Sequence, residues 1–162
     1  MARKKLSFRH IVESLNEHNL GYHFEPPTSD FRIKLAEKRR KIKFPRNVKL
    51  MLLEFNGLWI YSQKPEYAEI AYLDLYHMTK EVPMYLAACP QLGNPVPSPK
   101  QWRKVLFFYQ CNGYGDLFGV CLEDFGRFKK GQVVYLDHEN GKFKKWNNSF
   151  MDFVKAGPWA GR

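Results

Sequence analysis

The amino-acid sequence predicts an α+β fold: a single, mainly antiparallel sheet of about five to six strands, with helices N-terminal to it and one C-terminal helix packed on it. Three observations carry this expectation. In Phe44 to Gly57, FPRNVKLMLLEFNG, residues Val48, Met51, Leu52 and Phe55 recur at the spacing of one buried helical face, behind Pro45 and ahead of Asn56-Gly57. After Tyr61 the pattern changes to short apolar runs separated by turn residues. The last two runs meet across Glu139-Asn140-Gly141, and Asn-Gly accepts the positive backbone angles of tight hairpin turns.

Taken in order, Ser7 is placed to cap a first helix with Phe8, Ile11, Val12 and Leu15 on its apolar stripe and Gly21 as its expected end. Pro26-Pro27 breaks the chain. Thr28, Ser29 and Asp30 offer caps for a second helix reaching about Lys41, with Phe31, Leu35 and Ile42 inward and Lys38 to Lys41 outward. The proline-initiated helix follows, with Gly57 as its left-handed stop, and feeds a strand, Leu58 to Tyr61. Further strands are expected at Ile70 to Leu73, Val105 to Cys111, Leu117 to Leu122, Val133 to His138 and Lys142 to Trp146. Asp74 to Lys80 reads as a short helical turn, Cys89 to Pro99 as an irregular surface loop, and Ser149 caps a last helix carrying Phe150, Phe153 and Val154.

A chain of 162 residues with 13 Phe, 9 Tyr and 4 Trp has the material for one well-buried core. Cys89, Cys111 and Cys121 are an odd number, MARKKLSFRH lacks the apolar stretch of a secretory signal, and no apolar run reaches bilayer-spanning length. The expectation is a cytoplasmic protein with no membrane association. The net charge of +10 is uneven: residues 1–50 hold 13 Lys and Arg against 5 Asp and Glu, the remainder 13 against 11. Such a field selects a negative partner without naming its class.

Reaction chemistry finds little support. Asn112-Gly113-Tyr114-Gly115-Asp116 precedes a strand, where a phosphate-cradling loop precedes a helix, and no Lys-Ser/Thr follows it. Asp137 and His138 are consecutive, so on a strand they point to opposite faces and meet at one ion only if the turn has begun. No HExxH, CxxC or nucleophile elbow is present. No catalytic, cofactor-binding or metal-binding residue is assigned. A hydrolase would need His138, Asp116 and a cysteine within hydrogen-bonding reach.

The order of Asn56-Gly57 before a strand, Gly115-Asp116 opening a central strand, Val134-Tyr135 running into Asp137-His138, and Ser149-Phe150 starting the terminal helix resembles the SUKH superfamily of Smi/Knr-like proteins. Glu37, ahead of Phe44-Pro45, also falls where that family often has a glutamate. The resemblance runs from about Ser29 to Lys155. It divides the chain into a basic extension over residues 1–28, a SUKH-like domain over 29–157 and a tail over 158–162. It implies a non-enzymatic protein-binding module, as in bacterial immunity proteins that neutralise a cognate toxin domain or fungal scaffolds of cell-wall regulation. Nuclease-neutralising members are expected to be acidic, so the positive charge of this chain argues against a nuclease partner. The alternatives are a nucleic-acid-associated protein using the basic N-terminal third, or a regulatory scaffold. Expected partner contacts are Arg39, Arg40, Lys41 and Arg46 as charges, Tyr114, Trp59 and Trp102 as aromatic anchors, and Asp116. Trp146 is a further aromatic candidate.

Overall fold

The computed structural model describes residues 7–14, 21–61, 68–111 and 116–156. Its elements run α1 (Phe8–Ser14), β1 (Gly21–Phe24), α2 (Asp30–Arg40), α3 (Arg46–Glu54), β2 (Leu58–Tyr61), β3 (Ala68–Tyr72), α4 (Val82–Ala88), α5 (Pro99–Trp102), β4 (Val105–Cys111), β5 (Asp116–Cys121), β6 (Val133–Asp137), β7 (Lys142–Asn147) and α6 (Phe150–Ala156). The seven strands form one antiparallel meander in sequence order. The β3 to β4 seam is its narrowest, with Tyr72 opposite Tyr109 and Leu73 N–H donating to the Phe108 carbonyl at 2.8 Å.

The caps expected from sequence form. The Ser7, Ser29 and Ser149 hydroxyls accept from the backbone N–H of His10, Arg32 and Asp152. Glu54, at the end of α3, adds a long-range cap: its two carboxylate oxygens accept from the N–H groups of Phe8 and Arg9, both at 2.9 Å, which docks α1 on α3.

Several expectations are corrected. Gly21 opens β1, an edge strand beside β2, and does not end a helix. Phe31 points outward and is 74 % exposed, because the buried stripe of α2 runs through Ile33 and Glu37. Asp74 to Lys80 is the start of a longer helical stretch, a π-helical turn at His77–Glu81 continuing into α4 and a 3-10 turn at Cys89–Leu92, so only residues 94–98 are irregular. Gly141 alone, at φ +64°, takes a positive angle in the four-residue loop between β6 and β7. Near the other Asn-Gly, α3 already stops at Phe55, and Gly57 at φ +118° lies beyond it.

The core is aromatic. A register shift between Phe107 and Tyr109 breaks strand alternation, so the consecutive residues Phe108 and Tyr109 both reach Phe153 of α6, with ring centroids 5.0 and 5.4 Å away. Tyr72 meets all three of these rings edge-on or stacked. A second cluster, Phe107, Phe125, Phe128 and Phe143, forms around β4 and β7. Gly119 sits in β5 where an added Cβ would strike the Val105 side chain and lie 3.1 Å from the Leu106 carbonyl oxygen. Val105 is β-branched and buried, so it has little room to yield.

Glu37 is the buried polar exception that organises the helices. Its carboxylate accepts from Phe44 N–H at 2.7 Å and pairs with Lys49 Nζ at 2.8 Å, joining α2 to α3 across the corner between them. Burial alone would raise its pKa; the bonds from Lys49 and Phe44 outweigh that and hold it below the usual carboxylate value.

Two outcomes follow for chemical denaturation. Gly119→Ala should lower stability by about 1–3 kcal/mol through overpacking, read as a lower urea midpoint at unchanged slope. Glu37→Gln should cost about 1.5–3 kcal/mol near neutral pH. A depressed folded-state pKa means that this stabilisation is complete above the unfolded value and is lost as pH falls through the folded one. The gap between wild type and Glu37→Gln should therefore close in acid, and a gap independent of pH would show that the ionised clasp contributes nothing.

Candidate functional site

The outer row of α2 faces the helical stretch that begins at Leu75, and the two enclose an open groove of about 510 Å³. Its inner lining includes Thr28, Leu35, Ala36, Asn56, Leu75 and Tyr76; Arg32, Arg39, Arg40 and Lys80 line it as well, with no acidic residue. That composition, an apolar bed with a few polar groups, is the one on which ligand and partner sites are built.

Both walls are held by specific bonds. Asn56 Oδ1 accepts from Leu75 N–H at 2.9 Å and Asp74 Oδ1 accepts from His77 N–H at 2.8 Å, so the Asn-Gly corner after α3 pins the start of the second wall. Pro83 has no N–H to give to the carbonyl four residues back, that of Thr79, and its ring would crowd that oxygen in a regular helix. The chain widens into the π-helical turn, with Val82 N–H reaching the His77 carbonyl. The freed Thr79 carbonyl accepts from Arg40 Nη1 at 3.1 Å, tying α2 to the far wall.

A second groove of about 490 Å³ opens on the other side of the α2 terminus. Six cations line it: Lys41, Lys43, Lys100, Arg103, Lys104 and Lys130. Its one acid, Glu123, is already paired with Lys104 Nζ at 2.8 Å. Burial first and the Arg103 charge second depress the Arg40 guanidinium below its ordinary value, so a cation of one groove feels a cation of the other. Ten cations and a single acid therefore line the two grooves. Four of the six in the second groove come from beyond residue 50, so the sequence-level split into a basic third and a nearly neutral remainder does not survive folding.

Of the residues expected to contact a partner, Arg39 and Arg40 line the first groove and Lys41 the second. Lys41 holds φ +54°, the left-handed cap position that glycine normally fills. Arg46 is exposed at the first turn of α3, outside both linings. Trp59 is 38 % exposed beside a separate small recess with Glu25 and His77. Trp102 is buried in the core with the Arg103 guanidinium 5.5 Å from its ring centroid, so its ring is not a surface anchor. Trp146 is half-buried against Phe118 and Tyr135. Tyr114 lies outside the described residues. Lys80, Lys100, Arg103, Lys104 and Lys130 went unrecognised in the sequence because they are scattered along it; the run Lys100-Gln-Trp-Arg103-Lys104 was the one visible signal.

Asp116 is internal. It accepts from Tyr135 Oη at 3.0 Å and pairs with His138 Nδ1 at 2.8 Å, which fastens the β6 end to the start of β5. The turn begins at His138, so Asp137 and His138 do converge on Asp116, with donor atoms of all three within 4.8 Å of one another. The carboxylate of Asp137 is occupied by Glu139 N–H, Asn140 Nδ2 and Lys144 Nζ. The bond from Lys144 leads in holding Asp137 below the usual carboxylate range. The cluster is a hydrogen-bonded corner with its positive charge already supplied. Cys89, Cys111 and Cys121 are buried, and burial followed by the Asp124 charge pushes the Cys121 thiol up to about 12, far from a thiolate at neutral pH.

Residues 27–156 match the SMI1 / KNR4 family (SUKH-1). The chain belongs to that family. Within this SMI1/KNR4 member, the features that carry the resemblance are structural fasteners: Glu37 joins α2 to α3, Asn56 pins the groove wall, and Asp116 locks the β6 corner. A search of curated proteins found no relative that matches the chain. Among the described residues, no helix is long and apolar enough to cross a membrane.

Replacing Lys41 by glycine should relieve the left-handed conformation, worth about 1 kcal/mol in added stability, while removing one charge from the second groove. Thermal unfolding checks this directly, and an unchanged or lower midpoint would show that the lysine stem repays its backbone cost through packing.

Proposed function

We propose that this SMI1/KNR4 protein is a non-enzymatic binding module acting in the cytoplasm as an immunity protein, occluding a cognate toxin domain whose contact surface is acidic. The observation that carries this reading is the charge of the two grooves, lined by ten cations and one already-paired acid. A protein surface of matching sign gains on-rate and register from such a field. The same field repels a basic nuclease active site, so a toxin acting on nucleic acid would have to be blocked away from its substrate channel. Family membership supports a protein partner, and the engaged side chains of the Asp116, Asp137 and His138 corner support recognition over catalysis.

The experiment is co-expression with a toxin domain encoded beside this chain, scored by survival, followed by calorimetry of the purified pair at two salt concentrations. Survival should be restored, and affinity should fall about tenfold or more when Lys43, Lys100 and Arg103 are together replaced by glutamate. Protection and affinity indifferent to both salt and charge reversal would remove the cationic face from the interface.

A further inference from the structure

The first groove differs from the second in kind. The second is a field of lysines over mixed ground. The first has an apolar bed, Leu35, Ala36, Leu75 and Tyr76, with all four of its charged residues positive. It also holds an unusual group: the Thr28 hydroxyl, on a residue 8 % exposed, is buried without a hydrogen-bond partner, although Thr28 N–H is satisfied by the Leu52 carbonyl at 3.0 Å. That oxygen is closed to solvent, so it weakens the free fold and stays out of reach of a ligand; what the groove offers is its apolar bed and its cations. The walls are pre-set by the Arg40 to Thr79 and Asn56 to Leu75 bonds, so little ordering remains to be done on binding.

We propose that this groove is the anchor site of the partner interface, taking one large apolar side chain from an acidic polypeptide segment, with carboxylates on either side of that anchor meeting Arg32, Arg39 and Lys80. This rests on the reading of the chain as a binder of an acidic protein surface. The groove supplies the short-range, off-rate part of recognition, and the second groove the long-range part. Apolar burial holds the anchor, and the four cations set which flanking residues are accepted. Arg40 acts as a positioning residue, since its guanidinium is committed to the Thr79 carbonyl.

The test uses the full chain and three labelled peptides: one with a single tryptophan flanked by aspartate and glutamate, one with that tryptophan replaced by serine, and one with the acids replaced by their amides. Anisotropy titrations should rank the first peptide tightest, by about tenfold or more over either control. Ala36→Trp, which fills the groove without changing charge, should abolish the advantage of tryptophan over serine and leave binding of the serine peptide as it was. If the tryptophan and serine peptides bind alike, or Ala36→Trp has no effect on a protein whose circular dichroism is unchanged, the anchor site is overturned while the acidic-partner reading stands. If no acidic peptide binds at low salt, or a single-stranded oligonucleotide outcompetes the first peptide, both fall together.

Discussion

The buried Glu37 carboxylate is the constraint from which the working surface follows. A charge taken out of water is costly, and this one is tolerated because a backbone N–H and an ammonium meet it at 2.7 and 2.8 Å. Phe44 N–H is the group that holds the loop, and Lys49 belongs to the second turn of α3. One side chain therefore sets the end of α2, the course of residues 41–45 and the approach of α3. With that corner fixed, Arg39 and Arg40 face one groove and Lys41 and Lys43 the other. Were α2 free to rotate on α3, the same cations would spread over a solvated helix surface.

A second constraint, of a different sort, sets the opposite wall. Pro83 removes a helical hydrogen bond, the chain responds with a wider turn, and the carbonyl left over is captured by Arg40 from across the groove. What would be a defect in an isolated helix thus becomes the tie between two elements. The tie also explains why Arg40 keeps its charge in a half-buried place beside Arg103. Its guanidinium is bonded to a carbonyl dipole, which offsets part of the repulsion and desolvation that depress its pKa.

Much of this architecture was legible in the residues because local rules agreed with tertiary ones. Serine caps, the apolar stripe of α3 and the β4 and β2 runs fall where their patterns place them. The failures share a cause, since each depended on contacts between distant segments. β1 is four residues of mixed polarity whose only reason to be a strand is the β2 edge beside it. Phe31 sits at core spacing with Leu35 and Ile42, yet the first turn of α2 leaves it in solvent. Asp137 and His138 converge because the strand ends between them, which is the condition the sequence left open for them. The grooves themselves were invisible for the same reason: Lys100, Arg103 and Lys130 join Lys41 only through the fold.

The distribution of charge finally bears on why this fold suits recognition. Like charges crowded on one face destabilise the compact state, and a lysine in the left-handed cap of α2 adds backbone strain where glycine would relieve it. Neither feature contributes to the aromatic core, which is closed by Phe108, Tyr109 and Phe153 without reference to that face. Stability and recognition are thus divided between two layers of the same molecule. The core tolerates the strain because it is large and interlocked, and the cationic face is left free to match the shape and sign of whatever it binds.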